Sequence, residues 1–294
     1  MKYGIYFAYW EKEWDADYIK YMKKAKSLGF DILEISCAAL AHASLHDLDQ
    51  LKSAASEYDI ELTAGYGPSP SENLGSPDPE IVKHGLTFYQ DILQKLEYLN
   101  IHILGGGIYS YWPVDYSKPV DKEGDWLRSV ENVRKVGYIA GECGVDYCLE
   151  VLNRFEGYLL NTAWEAKKFV REVDIPSVKI MLDTFHMNIE EDSIPQAIHT
   201  AGELLGHFHV GENNRRVPGK GSLPWHTIGC ALRDIGYDKA VVMEPFVMNG
   251  GRIGQDIRLW RDLSQRGNEE TLDQDAAGSL SFLRHVFSGP HHNN

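Results

Sequence analysis

Four ionisable side chains interrupt apolar segments that otherwise have the composition of buried β-strands. Glu150 lies in "CLEVLNRFEG", Asp183 in "IMLDTFH", His209 in "GHFHVGE" and Glu244 in "VMEPF". A carboxylate in an apolar environment is costly, so each acid needs a partner or a shifted pKa. Successive members are separated by 33, 26 and 35 residues, about the length of one βα unit. This spacing predicts that the four side chains lie at the ends of successive strands and point into one opening.

Three carboxylates at one opening repel one another unless a cation lies between them. Oxygen-rich ligand sets with one nitrogen favour Mn²⁺, Co²⁺ or Mg²⁺ over the thiophilic metals. We therefore expect one divalent metal, bound by Glu150, Asp183, His209 and Glu244. Each residue alone has a purely structural alternative, because a strand-end acid often forms a salt bridge and a strand-end histidine is often a satisfied core residue. Four such residues in successive units favour the metal site.

The two glutamates suggest what such a metal would do. A divalent ion that chelates two adjacent sugar oxygens acts as a Lewis acid and stabilises the enediolate formed when a C–H beside a carbonyl loses its proton. Glu150 and Glu244 are three strands apart in an eight-stranded ring, roughly 135° around the opening, so a substrate could lie between them. If one glutamate removes a proton and the other returns one to the opposite face, the carbon is inverted. Removal and return on the same face would instead favour isomerisation.

The elements that must position these side chains alternate between strand-like and helical patterns in eight cycles. The strand-like runs are residues 3–8, 31–36, 60–65, 101–106, 145–151, 178–183, 205–210 and 240–246. Eight β-then-α units predict an α/β fold, a single (β/α)₈ TIM barrel, whose active site lies at the C-terminal ends of the strands. A doubly wound open sheet is the alternative, but it usually has five or six such units, and no G-x-G-x-x-G follows the first strand.

Several local signals place the helices between these strands. Asp78 and Pro79 predict a helix start, and Asn161 is the predicted N-cap of "TAWEAKKFV". Gly29 and Gly236 each separate a helix from the next strand. One further helix is predicted from a single apolar stripe, formed by Trp126, Val130, Val133, Val136, Ala140 and Cys143. The "GGG" at 105–107 lacks the G-K-[ST] of a phosphate loop and indicates close backbone approach.

Composition limits the class of protein. The chain has 294 residues, and we expect one barrel domain over residues 1–289 with a disordered tail at 290–294. The formal net charge of −14 disfavours nucleic acid and anionic membranes as partners. We expect a cytoplasmic location, because no apolar run approaches the ~20 residues that span a bilayer and the N-terminus lacks a signal-peptide pattern. The four cysteines contain no C-x-x-C pair and predict reduced side chains.

Longer motifs resemble a known family. The segments "GIYFAYW", "GIYSYWPVDY", "LEVLNRFE", "MLDTFHMNIEE", "GHFHVGENNRRVPGKG" and "VVMEPF" are similar to those of the D-tagatose 3-epimerase family, in particular its D-psicose (D-allulose) 3-epimerases. The resemblance extends from Tyr3 to about Phe287. It implies a xylose isomerase-like barrel and a metal-dependent enzyme, usually with Mn²⁺ or Co²⁺, that interconverts D-fructose and D-psicose at C3 through a cis-enediolate. It also implies Glu150, Asp183, His209 and Glu244 as metal ligands, with Glu150 and Glu244 as the acid/base pair.

The same resemblance assigns the sugar-binding residues. It places Glu156, His186 and Arg215 at O1, O2 and O3 of the sugar. Each also has a structural reading: Arg215 as a solvated loop charge, Glu156 as a partner of Arg154, and His186 as support for Asp183.

The same resemblance implies which residues form the distal wall of the pocket. The resemblance places Tyr6, Trp112 and Phe246 around C4 to C6, where apolar rings should tolerate several ketohexoses. Trp112 lies in a long loop between Gly105 and Gly124 that has no helical period. Trp14 is either pocket rim or surface anchor. Some relatives have a histidine in place of Tyr66, so the substrate preference stays open there.

Competing functions remain at this stage. These are a metal-dependent aldose–ketose isomerase, a 3-epimerase that prefers D-tagatose, D-sorbose or L-ribulose, and a non-catalytic sugar-binding module. A metal nuclease of the endonuclease IV type would need a basic surface and a richer histidine cluster. The resemblance implies a small ketose as the partner. It also implies a homo-oligomer, either a dimer or a tetramer.

Overall fold

Eight short apolar strands form the centre of the molecule and close into a barrel. The computed structural model describes residues 1–289, and the predicted tail at 290–294 lies outside the described residues. Neighbouring strands are parallel and follow chain order around the ring, so the α/β barrel predicted from the sequence is confirmed. The strands are β1 (Lys2–Tyr6), β2 (Ile32–Ser36), β3 (Glu61–Tyr66), β4 (Ile103–Gly106), β5 (Asp146–Glu150), β6 (Val178–Asp183), β7 (Leu205–Val210) and β8 (Ala240–Met243).

Three strands end earlier than their apolar sequences predict, β5 by one residue and β1 and β8 by two or more. β1 stops at Tyr6 because the next four residues, Phe7–Trp10, form a buried 3₁₀ turn. β8 stops at Met243, and Pro245 lacks the N–H needed to extend the ladder. Glu244 therefore lies one residue beyond its strand, although its backbone N–H still donates to the carbonyl of Val210 at 3.1 Å. The side chain leaves the sheet at the rim of the barrel.

The helices surround this barrel. They are α1 (Tyr18–Ser27), α2 (Cys37–Ala41), α3 (Leu45–Glu57), α4 (Pro79–Tyr98), α5 (Lys122–Glu142), α6 (Ala163–Val173), α7 (Thr184–Glu190), α8 (Ile194–Ala201), α9 (Trp225–Asp234), α10 (Gly251–Asp256) and α11 (Glu269–Phe287). In the described part of the chain, no helix is long and apolar enough to cross a membrane.

The capping predictions have different outcomes. The Asp78 side chain accepts from the N–H of Glu80 at the start of α4, which confirms the predicted N-cap. The prediction for α6 is wrong by one residue, because Thr162 and not Asn161 is the N-cap. Asn161 instead donates from Nδ2 to the carbonyls of Leu152 (2.8 Å) and Gly157 (2.9 Å). Its amide closes the loop that follows β5.

The predicted apolar stripe of α5 faces the barrel. Val130, Val133, Val136 and Ala140 are buried, and Trp126 packs at its start against Phe169 with ring centroids 5.0 Å apart.

The glycines at the end of β4 allow the close approach that the sequence predicts. Gly106 has φ +126°, and a Cβ there would lie 2.1 Å from the carbonyl oxygen of Tyr66. A Cβ on Gly105 would lie 2.5 Å from the sulfur of Met181 inside the barrel. Any larger residue would therefore push β4 away from its neighbours.

Candidate metal centre and active site

The C-terminal mouth of the barrel opens into a cavity of about 420 Å³. Residues from the strand ends and from the loops that follow them form its wall, the usual position of an active site in this fold. Nine of the ten predicted site residues line the cavity: Tyr6, Trp112, Glu150, Glu156, His186, His209, Arg215, Glu244 and Phe246. The tenth, Asp183, is completely buried beside it.

The four predicted metal ligands converge at this mouth. Glu150 ends β5, Asp183 ends β6, His209 lies near the end of β7, and Glu244 follows β8 directly. Each offers one ligand atom, and these atoms all lie within 4.8 Å of one another. Residues that are about one βα unit apart in the sequence are thus close together in space. Three carboxylates and one imidazole form a donor set suited to a hard divalent cation.

The two carboxylate oxygens of Asp183 have different surroundings. Oδ1 accepts from the backbone N–H groups of Phe185 (2.6 Å) and His186 (3.1 Å) and so caps α7. Oδ2 is buried and has no hydrogen-bond partner among the described residues. A buried carboxylate oxygen without a donor is costly, and a bound cation would satisfy it. Asp183 therefore fits a metal ligand.

The two ring nitrogens of His209 also have different surroundings. Its Nε2 lies 2.6 Å from Oε1 of Glu34, while Nδ1 is buried and unpartnered within residues 1–289. Nδ1 is 3.6 Å from Oε1 of Glu244, on the side where the other ligands meet. The nitrogen that faces the cluster is thus free to bind a metal.

Glu34 is a buried acid that the strand-end pattern does not predict. It lies in the middle of β2 and is 1% exposed. Besides His209, its carboxylate contacts His207 Nε2 (2.7 Å) and accepts from Thr63 Oγ1 (2.8 Å). The available signals are an acid inside the apolar run "DILEIS" and the H-x-H of "GHFHV", which puts two imidazoles on one face of β7.

Burial and mutual repulsion shift the ionisation of this cluster. Burial and the neighbouring Glu244 raise the pKa of Glu150 well above its ordinary value. Burial alone would lower the pKa of His209, but Glu34 and Glu244 raise it well above the usual range. Burial would raise the pKa of Glu34, yet His209 and His207 hold it below its ordinary value. Without a metal, protons take up part of the negative charge at the mouth.

His186 presents an N–H donor to the cavity. Its Nδ1 accepts from the backbone N–H of Asn153 (3.2 Å) and contacts the Asn153 side-chain amide (2.7 Å). With Nδ1 acting as acceptor, the proton lies on Nε2, which faces Oε1 of Glu150 at 3.6 Å. Burial lowers the pKa of His186, which favours this neutral form.

Arg215 bridges two of the site carboxylates. Its guanidinium contacts Glu156 Oε1 (3.2 Å) and Glu244 Oε2 (3.3 Å) and lies 3.7 Å from the ring centroid of Phe185. Arg215 is therefore not a solvated loop charge. Burial would raise the pKa of Glu156, but His186 and Arg215 bring it below its ordinary value. The alternative pairing of Glu156 with Arg154 is wrong, since Arg154 binds Glu190 (2.8 Å).

The loop after β7 fixes the backbone of Arg215, which has φ +66°. Glu212 is completely buried in this loop and accepts from Trp225 Nε1 (2.6 Å) and Gly219 N–H (2.8 Å). The carbonyl of Glu212 accepts the N–H of Arg215, and the carbonyl of Arg215 accepts the N–H of Phe246. Glu212 thus organises the segment that delivers the guanidinium.

Aromatic rings form another part of the cavity wall. Tyr6 and Phe246 lie edge to face with centroids 6.3 Å apart, and Trp112 donates from Nε1 to Glu156 at 3.3 Å. Trp14 is part of the pocket wall, because its ring contacts those of Trp112 (6.1 Å) and Phe246 (6.4 Å). The cavity therefore has a polar part and an aromatic part, which meet where Trp112 contacts Glu156 and where the guanidinium of Arg215 lies 5.2 Å from the ring centroid of Phe246.

Tyr66 also borders the cavity. Its ring stacks on Phe88 with centroids 5.1 Å apart, and its hydroxyl is 3.4 Å from Oε2 of Glu72. These contacts hold the phenol against α4.

Comparisons with known proteins agree with this geometry. Residues 22–265 match the family of xylose isomerase-like TIM barrels. The chain is 59% identical to a D-psicose 3-epimerase of Enterocloster bolteae, over 98% of this chain and 96% of the relative. It is 52% identical to a D-psicose 3-epimerase of Agrobacterium fabrum, over 98% of this chain and all of the relative. A crystal structure of D-psicose 3-epimerase with D-tagatose, from Clostridium cellulolyticum H10, superimposes with a TM-score of 0.97 at 57% identity and covers 98% of this chain and 99% of that one.

Proposed function

Because this chain belongs to the xylose isomerase-like TIM barrels and, within them, to the D-tagatose 3-epimerase family, we infer that it is a ketohexose 3-epimerase that interconverts D-fructose and D-psicose. One observation carries the assignment beyond the family: the ligand atoms of Glu150, Asp183, His209 and Glu244 lie within 4.8 Å of one another at the mouth of a sugar-sized cavity. We propose that these four residues hold one divalent cation, Mn²⁺ or Co²⁺, with Mg²⁺ as a third candidate.

When bound, such a cation would act as a Lewis acid toward adjacent sugar oxygens and stabilise the negative charge of an enediolate. Glu150 and Glu244 come from opposite sides of the mouth and exchange protons with C3. In one direction Glu150 accepts the C3 proton and Glu244 donates to the other face, and in the reverse direction the roles exchange.

The polar part of the cavity orients the sugar. His186 donates from Nε2 to an oxygen that gains negative charge, since Asn153 fixes its tautomer. Arg215 donates to a second oxygen, and Glu156, held by Arg215, Asn153 and Trp112, accepts from the C1 hydroxyl. Removal of any one of these contacts would misplace C3 relative to the two glutamates.

The aromatic part accepts C4 to C6 against Tyr6, Trp112 and Phe246. Ring faces distinguish hydroxyl configurations weakly. We therefore expect D-tagatose, D-sorbose and L-ribulose to be accepted as substrates, but to be converted more slowly than D-fructose. The crystallisation of the similar D-psicose 3-epimerase with D-tagatose supports this breadth.

Turnover of D-fructose in D₂O with Mn²⁺ tests the proposal. Solvent deuterium should appear at C3 of the psicose that forms, whereas deuterium at C1 would identify an aldose–ketose isomerase instead. Chelation should abolish conversion, and Mn²⁺ or Co²⁺ should each restore it. A chelated enzyme that stays fully active would refute the metal role. As a matched control, Glu244→Gln should lose turnover but still bind D-fructose, which also separates an enzyme from a sugar-binding module.

We further propose a cytoplasmic homo-oligomer, a dimer or a tetramer. The four cysteines Cys37, Cys143, Cys148 and Cys230 are free thiols, as a reducing compartment would maintain them. Large apolar side chains on the outside of the barrel, such as Trp164 (65% exposed) and Trp260 (73% exposed), supply surface for subunit contacts. Sedimentation analysis of the full chain checks the oligomeric state.

A further inference from the structure

Glu34 occupies a place in the barrel that the proposed reaction does not use directly. Its side chain lies in the middle of β2, at the floor of the cavity, and contacts the ring nitrogen of His209 that faces away from the other proposed ligands. We propose that Glu34 is a positioning residue: it holds His209 with the proton on Nε2 and so directs the lone pair of Nδ1 at the metal. The inference rests on the proposed metal site and adds to it a residue outside the ligand set.

The hydrogen bonds of Glu34 leave it little freedom. Oε1 contacts His209 Nε2 at 2.6 Å, and Oε2 contacts His207 Nε2 at 2.7 Å and Thr63 Oγ1 at 2.8 Å. A Cβ on Gly65 would lie 3.3 Å from Oε1, so the neighbouring backbone passes close to the carboxylate. A carboxylate can only accept, and therefore both histidines must donate from Nε2.

The consequence for His209 is a defined chemical state. A neutral imidazole carries one N–H, and if that proton is on Nε2, Nδ1 is a lone pair. Nδ1 is also the atom that lies near Glu244 and lacks a partner among the described residues. A carboxylate behind a metal-bound histidine fixes the ring and makes the ligating nitrogen more basic.

His207 provides an internal comparison. It makes the same contact with the same carboxylate, and its Nδ1 is likewise buried and unpartnered within the described chain. However, this ring is one layer further from the mouth, because His207 precedes His209 by two residues on β7. A Cβ on Gly105 would lie 3.2 Å from its Cδ2, so the surrounding strands pack against it. The same carboxylate thus serves one ligand and one non-ligand.

Glu34→Gln tests the proposal with little change of volume. The amide can still accept from one histidine, but its NH₂ group cannot accept from the other, and the negative charge is lost. Loss of a carboxylate behind a ligating histidine typically weakens metal affinity about 10–100-fold. We therefore expect the Mn²⁺ dissociation constant, measured from the EPR signal of free Mn²⁺ during titration of the metal-stripped full chain, to rise by that factor.

Thr63→Val is the matched control. It removes one donor to the same carboxylate but leaves the contact with His209, so Mn²⁺ affinity should stay within about threefold of wild type, less than the effect of an outer-shell carboxylate. The half-saturating Mn²⁺ concentration for epimerisation should rise for Glu34→Gln, and excess Mn²⁺ should restore most of the turnover. A merely structural role would lower turnover at every metal concentration.

The outcomes separate the two proposals. If wild type binds no Mn²⁺, the metal site itself is wrong. If wild type binds Mn²⁺ and Glu34→Gln binds it equally well, or if excess Mn²⁺ restores nothing, Glu34 has no positioning role while the epimerase assignment stands. Should Glu34→Gln fail to fold, Glu34→Asp keeps the charge but withdraws the carboxylate from His209. It should still lose at least about tenfold in affinity, and wild-type affinity in Glu34→Asp would overturn the proposal.

Discussion

Asp183→Asn separates the metal role of Asp183 from its structural role. The asparagine Oδ1 can keep the hydrogen bonds from the N–H groups of Phe185 and His186, so the cap of α7 survives. Only Oδ2, the oxygen without a partner among the described residues, is replaced by an amide nitrogen. That nitrogen cannot bind a cation. We expect the variant to fold and to lose metal binding.

The charges at the mouth set the effect on the metal-free protein. Asp183 lies within 4.8 Å of Glu150, Glu244 and His209, measured between ligand atoms. At an effective dielectric constant of about 20, each such pair interacts by about 3.5 kcal/mol. The Asp183 carboxylate is repelled by Glu150 and Glu244 and attracted by a protonated His209, so the sum is about one repulsive pair. If Glu150 is protonated, most of this net repulsion disappears. Metal-free Asp183→Asn should therefore be between about 0 and 3 kcal/mol more stable than wild type.

Added metal should stabilise wild type more than the variant. At a Mn²⁺ concentration 100 times its dissociation constant, wild type gains about 2.7 kcal/mol, which raises Tm by roughly 4–5 °C for a chain of 294 residues. A variant with 100-fold weaker affinity gains only about 0.4 kcal/mol under the same conditions. Scanning calorimetry of both proteins, with chelator and with Mn²⁺, measures the four values.

Asp183→Ala is the control for the cap, because it removes both oxygens. It should lower the metal-free stability by about 0.5–2 kcal/mol relative to Asp183→Asn. An equal Mn²⁺-induced rise of Tm in wild type and Asp183→Asn would show that Asp183 is not a ligand. A metal-free Asp183→Asn that is several kcal/mol less stable than wild type would show that the charge supports the fold.

Three further predictions follow from neighbouring groups. Arg215→Lys, whose single ammonium cannot bridge two carboxylates, should lower kcat/KM about 10–100-fold with little change of Tm, as steady-state kinetics will show. Glu212→Gln should cost about 1–3 kcal/mol of unfolding free energy in urea, because Oε1 accepts from Trp225 and Gly219, Oε2 accepts from Leu223, and one of these oxygens becomes a donor. The raised pKa of Glu150 means that the folded, metal-free protein keeps a proton that the unfolded chain releases, so its stability should fall as pH rises above about 4.5. Because a metal displaces that proton, the Mn²⁺-induced rise of Tm should grow over the same pH range, and a constant rise would contradict the shift.

The strand-end positions of the four proposed ligands could be predicted from the sequence because their signal is local. Each of Glu150, Asp183, His209 and Glu244 lies at or near the C-terminal end of a strand-like run, and the parallel barrel brings all C-terminal strand ends to one rim. The exact ends of the helices were harder to predict from the sequence. Thr162 and Asn161 are both good caps, and only the loop that needs the Asn161 amide decides between them.

Glu34 could not be placed by the same signal. It contacts His207 and His209 across the interior of the barrel, from residues 173 and 175 positions away in the chain. Such a pairing depends on the tilt and register of β2 and β7, which hydrophobic periodicity does not specify. An acid in the middle of a predicted strand indicates that a partner exists but not which strand supplies it.

Three of the four proposed metal ligands share one arrangement, which explains how the site can exist before metal arrives. Asp183 gives one oxygen to the cap of α7, His209 gives Nε2 to Glu34, and Glu244 gives one oxygen to Arg215. Each therefore has one polar atom bound to protein and another turned toward its fellow ligands. Because protein contacts alone fix these three side chains, removal of the metal should leave them in place. The metal-stripped chain should then recover activity on addition of Mn²⁺ without a refolding step, and a recovery as slow as refolding from urea would refute this preorganisation.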